Sequence, residues 1–126
     1  MTTQTTFPQF DNYACQGDRI KWTREGFDFV ARLEYDTDTN PSYSDCYDAE
    51  DVQRWRDDEW FYVGVVLSVS RNGVELSDHA ASLWGIECNF SDTSNTYLSE
   101  AAQELEAEAL ETARAEVVRI KQALEA

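Results

Sequence analysis

Basic residues are scarce in this chain: ten Lys and Arg stand against 25 Asp and Glu among 126 residues, a formal net charge of −15. Phosphate backbones and anionic lipid surfaces are held through Lys and Arg, so the shortage argues against direct binding to DNA, RNA or a membrane surface. Histidine is reduced to His79 and cysteine to Cys15, Cys46 and Cys88, an odd number with no C-x-x-C pair. That argues against a disulfide framework or a structural zinc site and fits a reduced cytoplasm. The five glycines form no phosphate loop or dinucleotide fingerprint, and no H-E-x-x-H helix is present. No cofactor is expected. Nor does any stretch reach the run of about eighteen apolar residues that spans a bilayer. Residues 1–9 lack the basic and apolar regions of a signal peptide. They read as a flexible tail, with order beginning as early as Phe7.

What is present suffices for a core: 42% of residues are hydrophobic and 13% aromatic. The length is that of one domain, residues 1–126, with no linker or repeat to divide it. Arg19 to Trp22 and Phe27 to Tyr35 flank Thr23-Arg24-Glu25-Gly26, and Phe27, Phe29, Ala31 and Leu33 alternate with mainly polar neighbours. That pattern predicts a β-hairpin. Trp60 to Ser70 is aromatic and β-branched, as a buried strand is. Asn72-Gly73 then predicts a type I′ turn and a return at Val74 to Leu76. His79 to Ser82 reads as a bulge or loop, and Leu83 to Asn89 as a further strand. Asp48 is a candidate N-cap for a short helix over 49–57, with Val52 and Trp55 facing the core. Tyr97 to Ala126 predicts a long helix capped by Thr96 or Ser99. Its apolar stripe is Leu98, Ala101, Leu105, Ala109, Ala113, Val117, Ile120 and Leu124. Leu110 and Val118 fall off that stripe and suggest contact with another chain. The assembled expectation is an α+β fold: an antiparallel sheet of four to five strands, packed against the long C-terminal helix and the short middle helix.

Catalytic constellations are few. His79 has no serine or cysteine motif beside it to activate. Asp36-x-Asp38-x-Asn40 begins like a calcium loop, but Pro41 replaces the glycine of the sharp turn and Tyr47 the bidentate glutamate. An Asx-rich turn is the alternative. The chain is therefore expected not to be an enzyme and to hold no metal.

Charge distribution is more informative. Residues 34–59 carry ten acidic side chains against Arg54 and Arg56, a net −8. Within them Asp48, Glu50, Asp51, Asp57 and Asp58 are candidate partner-binding residues. The early C-terminal helix adds Glu100, Glu104, Glu106, Glu108 and Glu111 without a basic residue. Glu100, Glu104, Glu108 and Glu111 step by four, four and three, so they form one stripe with neighbours about 5–6 Å apart, close to phosphate spacing on a DNA strand. Like charges at this spacing repel, and Glu–Lys pairs would be the cheaper way to solvate a helix face. A solubilising or salt-tolerance role is the plainer reading of the same charge.

The segments Trp60-Phe61-Tyr62-Val63-Gly64-Val65, Gly73-Val74-Glu75-Leu76, Ser82-Leu83-Trp84-Gly85-Ile86-Glu87, Tyr97-Leu98 and Glu104-Leu105 resemble small uncharacterised acidic proteins of phages and mobile elements. That resemblance covers roughly residues 60–105 and carries no activity. In composition alone the chain resembles DNA-mimic and anti-defence proteins, anti-CRISPR or anti-restriction. The expectation is an acidic inhibitor or adaptor in the host cytoplasm, monomeric or homodimeric. It would occlude the basic, nucleic-acid-binding surface of a host protein such as a CRISPR effector or a restriction enzyme, with Trp55 or Trp84 as an aromatic anchor if exposed, the core being the more common place for each. The alternatives are an accessory protein that dimerises through its C-terminal helix and a metal-dependent enzyme with scattered carboxylates.

Overall fold

The computed structural model describes residues 7–43, 45–90 and 95–126. Four strands, β1 (Arg19–Arg24), β2 (Phe27–Tyr35), β3 (Phe61–Arg71) and β4 (Val74–Cys88), form one antiparallel sheet in the order β1-β2-β3-β4. A short helix α1 (Ala49–Arg56) lies between β2 and β3, and a 30-residue helix α2 (Thr96–Glu125) follows β4. The fold is therefore α+β, with four strands.

Two tight hairpins organise the meander. Asn72 and Gly73 both have positive φ, at 51° and 81°, as a type I′ turn requires. The β1–β2 turn uses the same geometry at Glu25 and Gly26, at 52° and 81°. Glutamate has no side-chain reason to favour this region, so tertiary context holds Glu25 there; its carboxylate accepts from the Arg114 guanidinium of α2 at 2.5 Å.

Period-two alternation sorts the sheet into two faces. Phe27, Phe29, Ala31 and Leu33 of β2 and Val63, Val65, Leu67 and Val69 of β3 are buried beneath α2. The helix answers with Leu98, Ala101, Ala102, Ala109, Leu110 and Ala113, where small side chains permit close approach to β3 and β4. On the opposite face, at the start of β3, Trp60 is fully buried among Tyr47, Tyr62 and Phe90, with ring centroids 4.8–5.3 Å apart. Its indole N–H donates to the Asp51 carbonyl at 2.9 Å, which fixes α1 to this end of the sheet. Burial pushes up the pKa of both hydroxyls in the cluster, Tyr47 and Tyr62.

Val74–Leu76 and Leu83–Asn89, expected as separate strands, belong to one strand of 15 residues opposite 11 on β3, and of the bulge or loop expected at residues 79–82 it is the bulge that the structure shows. The register absorbs the excess in β-bulges: at Trp84-Gly85 opposite Gly64, at Asp78–Ala80 opposite Ser68, and at Leu76. Each bulge resets the alternation, so Ala80 and Ala81 are both buried while Leu83 and Trp84 are both exposed.

The start of α2 also differs. Neither Thr96 nor Ser99 caps it: Asn95 occupies the N-cap position at φ 54° without a side-chain cap bond. Asn95 is fully buried and spends its amide elsewhere, donating to Asn12 O and Asn89 Oδ1 and accepting from Asn89 N–H, at 2.8–3.0 Å. Ser99 is buried too, and its Oγ accepts the Phe10 N–H at 2.9 Å. These bonds dock residues 10–14 onto the β4–α2 junction, and the Cys88 thiol, pushed up to about 12 by burial, donates to Ala14 O. Phe7 packs on Trp22, with centroids 4.6 Å apart, so contact with the body begins at Phe7; residues 1–6 lie outside the described residues.

Off-stripe Leu110 is not a surface residue. It is 5% exposed and joins the core, whereas Leu124, counted in the stripe, is 80% exposed. The sheet ends before the helix does: no residue beyond Ala113 is buried.

Candidate functional site

Helical periodicity places Glu100, Glu104, Glu108 and Glu111 within one sector of α2, roughly opposite the buried residues. All four are exposed. From Glu100 to Glu111 the helix rises about 16 Å, so the row is long enough to face several basic side chains at once. Among the described residues, no basic side chain forms an ion pair with any of the four. The two arginines of α2 pair elsewhere: Arg114 with Glu25, and Arg119 with Glu116, whose carboxylate it holds below the usual range.

Glu106 is the exception among the helix acids. It sits one residue after Leu105 and three before Ala109, on the buried side, and is 9% exposed. Its carboxylate accepts the Trp22 indole N–H at 2.5 Å and a hydrogen bond from the Arg24 guanidinium. Trp22 in turn stacks on Phe29, 5.4 Å away and nearly parallel. Glu106 thus anchors α2 to the edge strand β1. Spacing relative to Leu105 and Ala109 carried this information.

The acids around α1 are used differently. Asp48 accepts the Asp51 N–H at 2.8 Å, and the Asp51 carboxylate accepts the Asp48 N–H at 3.3 Å, a reciprocal capping box. Asp51 also lies 3.9 Å from Arg54, and Asp57 accepts from Gln53 Nε2 at 3.1 Å. Glu50 and Asp58 are exposed, with no side-chain hydrogen bond or ion pair among the described residues. Val52 and Trp55 are half-buried rather than in the core, because α1 packs on the Pro41–Tyr43 turn and contains no fully buried residue. The α1 and α2 acids therefore stand on different elements and are not one continuous row.

Trp55 lines a groove of about 730 Å³ together with Tyr35, Phe61, Asp36, Arg56 and Asp58. Trp84 is 43% exposed and lies flat over Gly64: a Cβ there would meet its ring at 2.2 Å, so only glycine admits the indole. The bulges bring His79 Nε2 to 2.8 Å from Ser82 Oγ, which also accepts the Trp84 N–H at 3.1 Å. His79 accordingly has a serine neighbour that its local sequence did not suggest, on an exposed part of the sheet.

In the loop after β2, Asp36 Oδ1 accepts the Asp38 N–H at 3.0 Å and Oδ2 the Thr39 hydroxyl at 2.8 Å, while Asn40 Oδ1 accepts the Ser42 N–H at 2.9 Å. The Asp36 and Asn40 oxygens, two of the three groups that resembled calcium ligands, are turned onto their own loop, in the manner of Asx turns. Tyr47 donates to Glu87. Among the described residues no three His, Cys, Asp or Glu converge as a metal site, and no helix is long and apolar enough to cross a membrane. Compared with protein-family models, with curated proteins and with solved structures, the chain matches none.

Proposed function

We propose that this chain is an acidic protein-binding inhibitor or adaptor, not an enzyme. It would present the outward row of α2 as an imitation of a DNA strand and so occlude the basic, nucleic-acid-binding surface of another protein. Host defence nucleases, such as a CRISPR effector or a restriction enzyme, are the class of target proposed. One observation carries the reading: Glu100, Glu104, Glu108 and Glu111 are exposed in one sector of a rigid helix and lack ion-pair partners among the described residues. Mutual repulsion along such a row costs helix stability, and a cationic partner surface relieves it. Charge-assisted bonds from partner Arg and Lys would supply affinity and, above all, a fast encounter.

The test is competition. The chain is immobilised and exposed to nucleic-acid-binding proteins from a bacterial lysate at about 50 mM salt, where a Debye length exceeds 10 Å. Captured protein should be displaced by duplex DNA, and should be lost as salt rises. Capture that DNA does not disturb, or no capture even in dilute buffer, would reject the proposal.

A second reading rests on the far end of α2, where Val118 is 54% and Leu124 80% exposed. It makes the chain an accessory protein that pairs through this apolar tip. Light scattering distinguishes the two: the pairing reading requires a dimer whose mass halves in Val118→Asp with Leu124→Asp.

A further inference from the structure

The groove at the α1 end of the sheet has walls and charges that the acidic row does not explain. Tyr35 and Phe61 meet edge to face, with centroids 5.0 Å apart, and form one aromatic wall. Half-buried Trp55 contributes another from the last turn of α1. Asp36 and Asp58 stand on its margin with a single cation, Arg56. Its volume, about 730 Å³, falls among those of pre-formed ligand sites, about 300–1,000 Å³. The Asp36 carboxylate already accepts two bonds from its own loop, which fixes its orientation and leaves lone pairs free. Asp58 sits at φ 61°, just after α1, with no side-chain partner among the described residues.

We infer that this groove takes one arginine side chain of the partner, its guanidinium stacked on the aromatic walls and hydrogen-bonded to Asp58 and Asp36. The occupant follows from complementarity. Aromatic faces attract a cation, and arginine stacks on them more readily than lysine because it is planar and weakly hydrated. Carboxylates at the margin match its fork of N–H donors. A chain of net charge −15 biases any such site further toward a cation. The inference rests on the proposed function, since it supplies the aromatic-lined anchor that a purely electrostatic row lacks.

The probe is N-acetyl-arginine amide, titrated into the full chain and followed by backbone and indole N–H resonances. The expected result is saturable movement confined to residues 35–37 and 55–58 and to the Trp55 indole. N-acetyl-lysine amide should bind at least threefold more weakly. Asp58→Asn should weaken arginine binding about fivefold, and Arg56→Gln should strengthen it two- to threefold by removing a like charge. Glu104→Lys with Glu108→Lys lowers the overall negative charge on another element, so arginine affinity should fall by less than about twofold while the same residues 35–37 and 55–58 shift. Diffuse, non-saturating shifts, or equal shifts along α2, would overturn the inference. So would weaker arginine binding in Arg56→Gln, the result expected of a groove for anions. These outcomes do not depend on the DNA competition: groove binding can fail while DNA still displaces a captured partner, and the reverse.

Discussion

In α1, Asp48 and Asp51 exchange hydrogen bonds with each other's backbone N–H, and Asp57 accepts from Gln53. In α2, Glu100, Glu104, Glu108 and Glu111 have no comparable bond within the described residues, whereas Glu106 has turned inward to Trp22 and Arg24 and Glu116 pairs with Arg119. Both segments are dense in acid, yet the first commits Asp48 and Asp51 to capping the start of a helix and the second leaves a whole row to solvent. A local task explains an acidic residue without any partner. Where that task is absent and the neighbours repel, the proposed cationic partner would supply a reason for the arrangement that a local task does not. The difference separates carboxylates whose loss should harm the fold from carboxylates whose loss should harm only binding.

The largest effect should come from reversing charge in the row. Glu104→Lys with Glu108→Lys places like charges against a basic partner, which costs several kcal/mol, or about a hundredfold or more in affinity. The fold should be kept and the thermal midpoint should move only slightly, upward, because both side chains are exposed and two of the three repulsive pairs become attractive. Affinity measured by titration, beside a melting curve, checks this; a variant that binds normally, or one that unfolds, would erase the distinction drawn above. Next is Glu106→Ala. Removing this carboxylate strands the Trp22 N–H and takes a bond from Arg24, a destabilisation of about 2–3 kcal/mol. Denaturant unfolding should show that loss, while affinity in the folded fraction is kept. Smaller again is Asp48→Ala, which removes the α1 cap at a cost of about 1 kcal/mol. If Asp48→Ala instead lowered affinity with stability intact, α1 would have to be read like α2.

Much of this arrangement was legible in local sequence. The alternation of Phe27, Phe29, Ala31 and Leu33, the Asn72-Gly73 turn and the Asp48 cap are short-range devices, and each appears where its residue types require it. Long-range choices were not legible. Ser99 looks like an ordinary capping residue, but the Phe10 N–H takes its hydroxyl, and Asn95, which holds the N-cap position instead, spends its side chain on Asn12 and Asn89. The bulge or loop expected at residues 79–82 proved to be one of several bulges in a single continuous strand, because β4 carries more residues than β3 can pair and a period-two reading cannot follow the slips. Gly64, inside the apolar run of β3, was the available hint that another group approaches closely, and that group is Trp84. In the candidate site, the α2 row was readable from 3.6-residue spacing alone. The groove was not, since it is assembled from Tyr35, Trp55 and Phe61 on three elements.

The smallest expected effect is the most discriminating, because solubility and recognition predict different responses. Glu104→Gln with Glu108→Gln removes charge while keeping shape and helix propensity. Repulsion between i and i+4 carboxylates is relieved, so the melting midpoint should rise by a shift equivalent to a few tenths of a kcal/mol, about 0.2–0.5 per pair. Added salt should shrink this gain, since exposed charges are screened over about 8–10 Å. A solubilising face would give up nothing in exchange except some resistance to precipitation. A face read by a cationic partner would become slightly more stable and markedly weaker in binding, and the salt dependence of that binding would flatten. Opposite signs for stability and affinity in one variant are difficult to obtain from charge that serves only hydration, and they are what a row kept under repulsion for a partner requires.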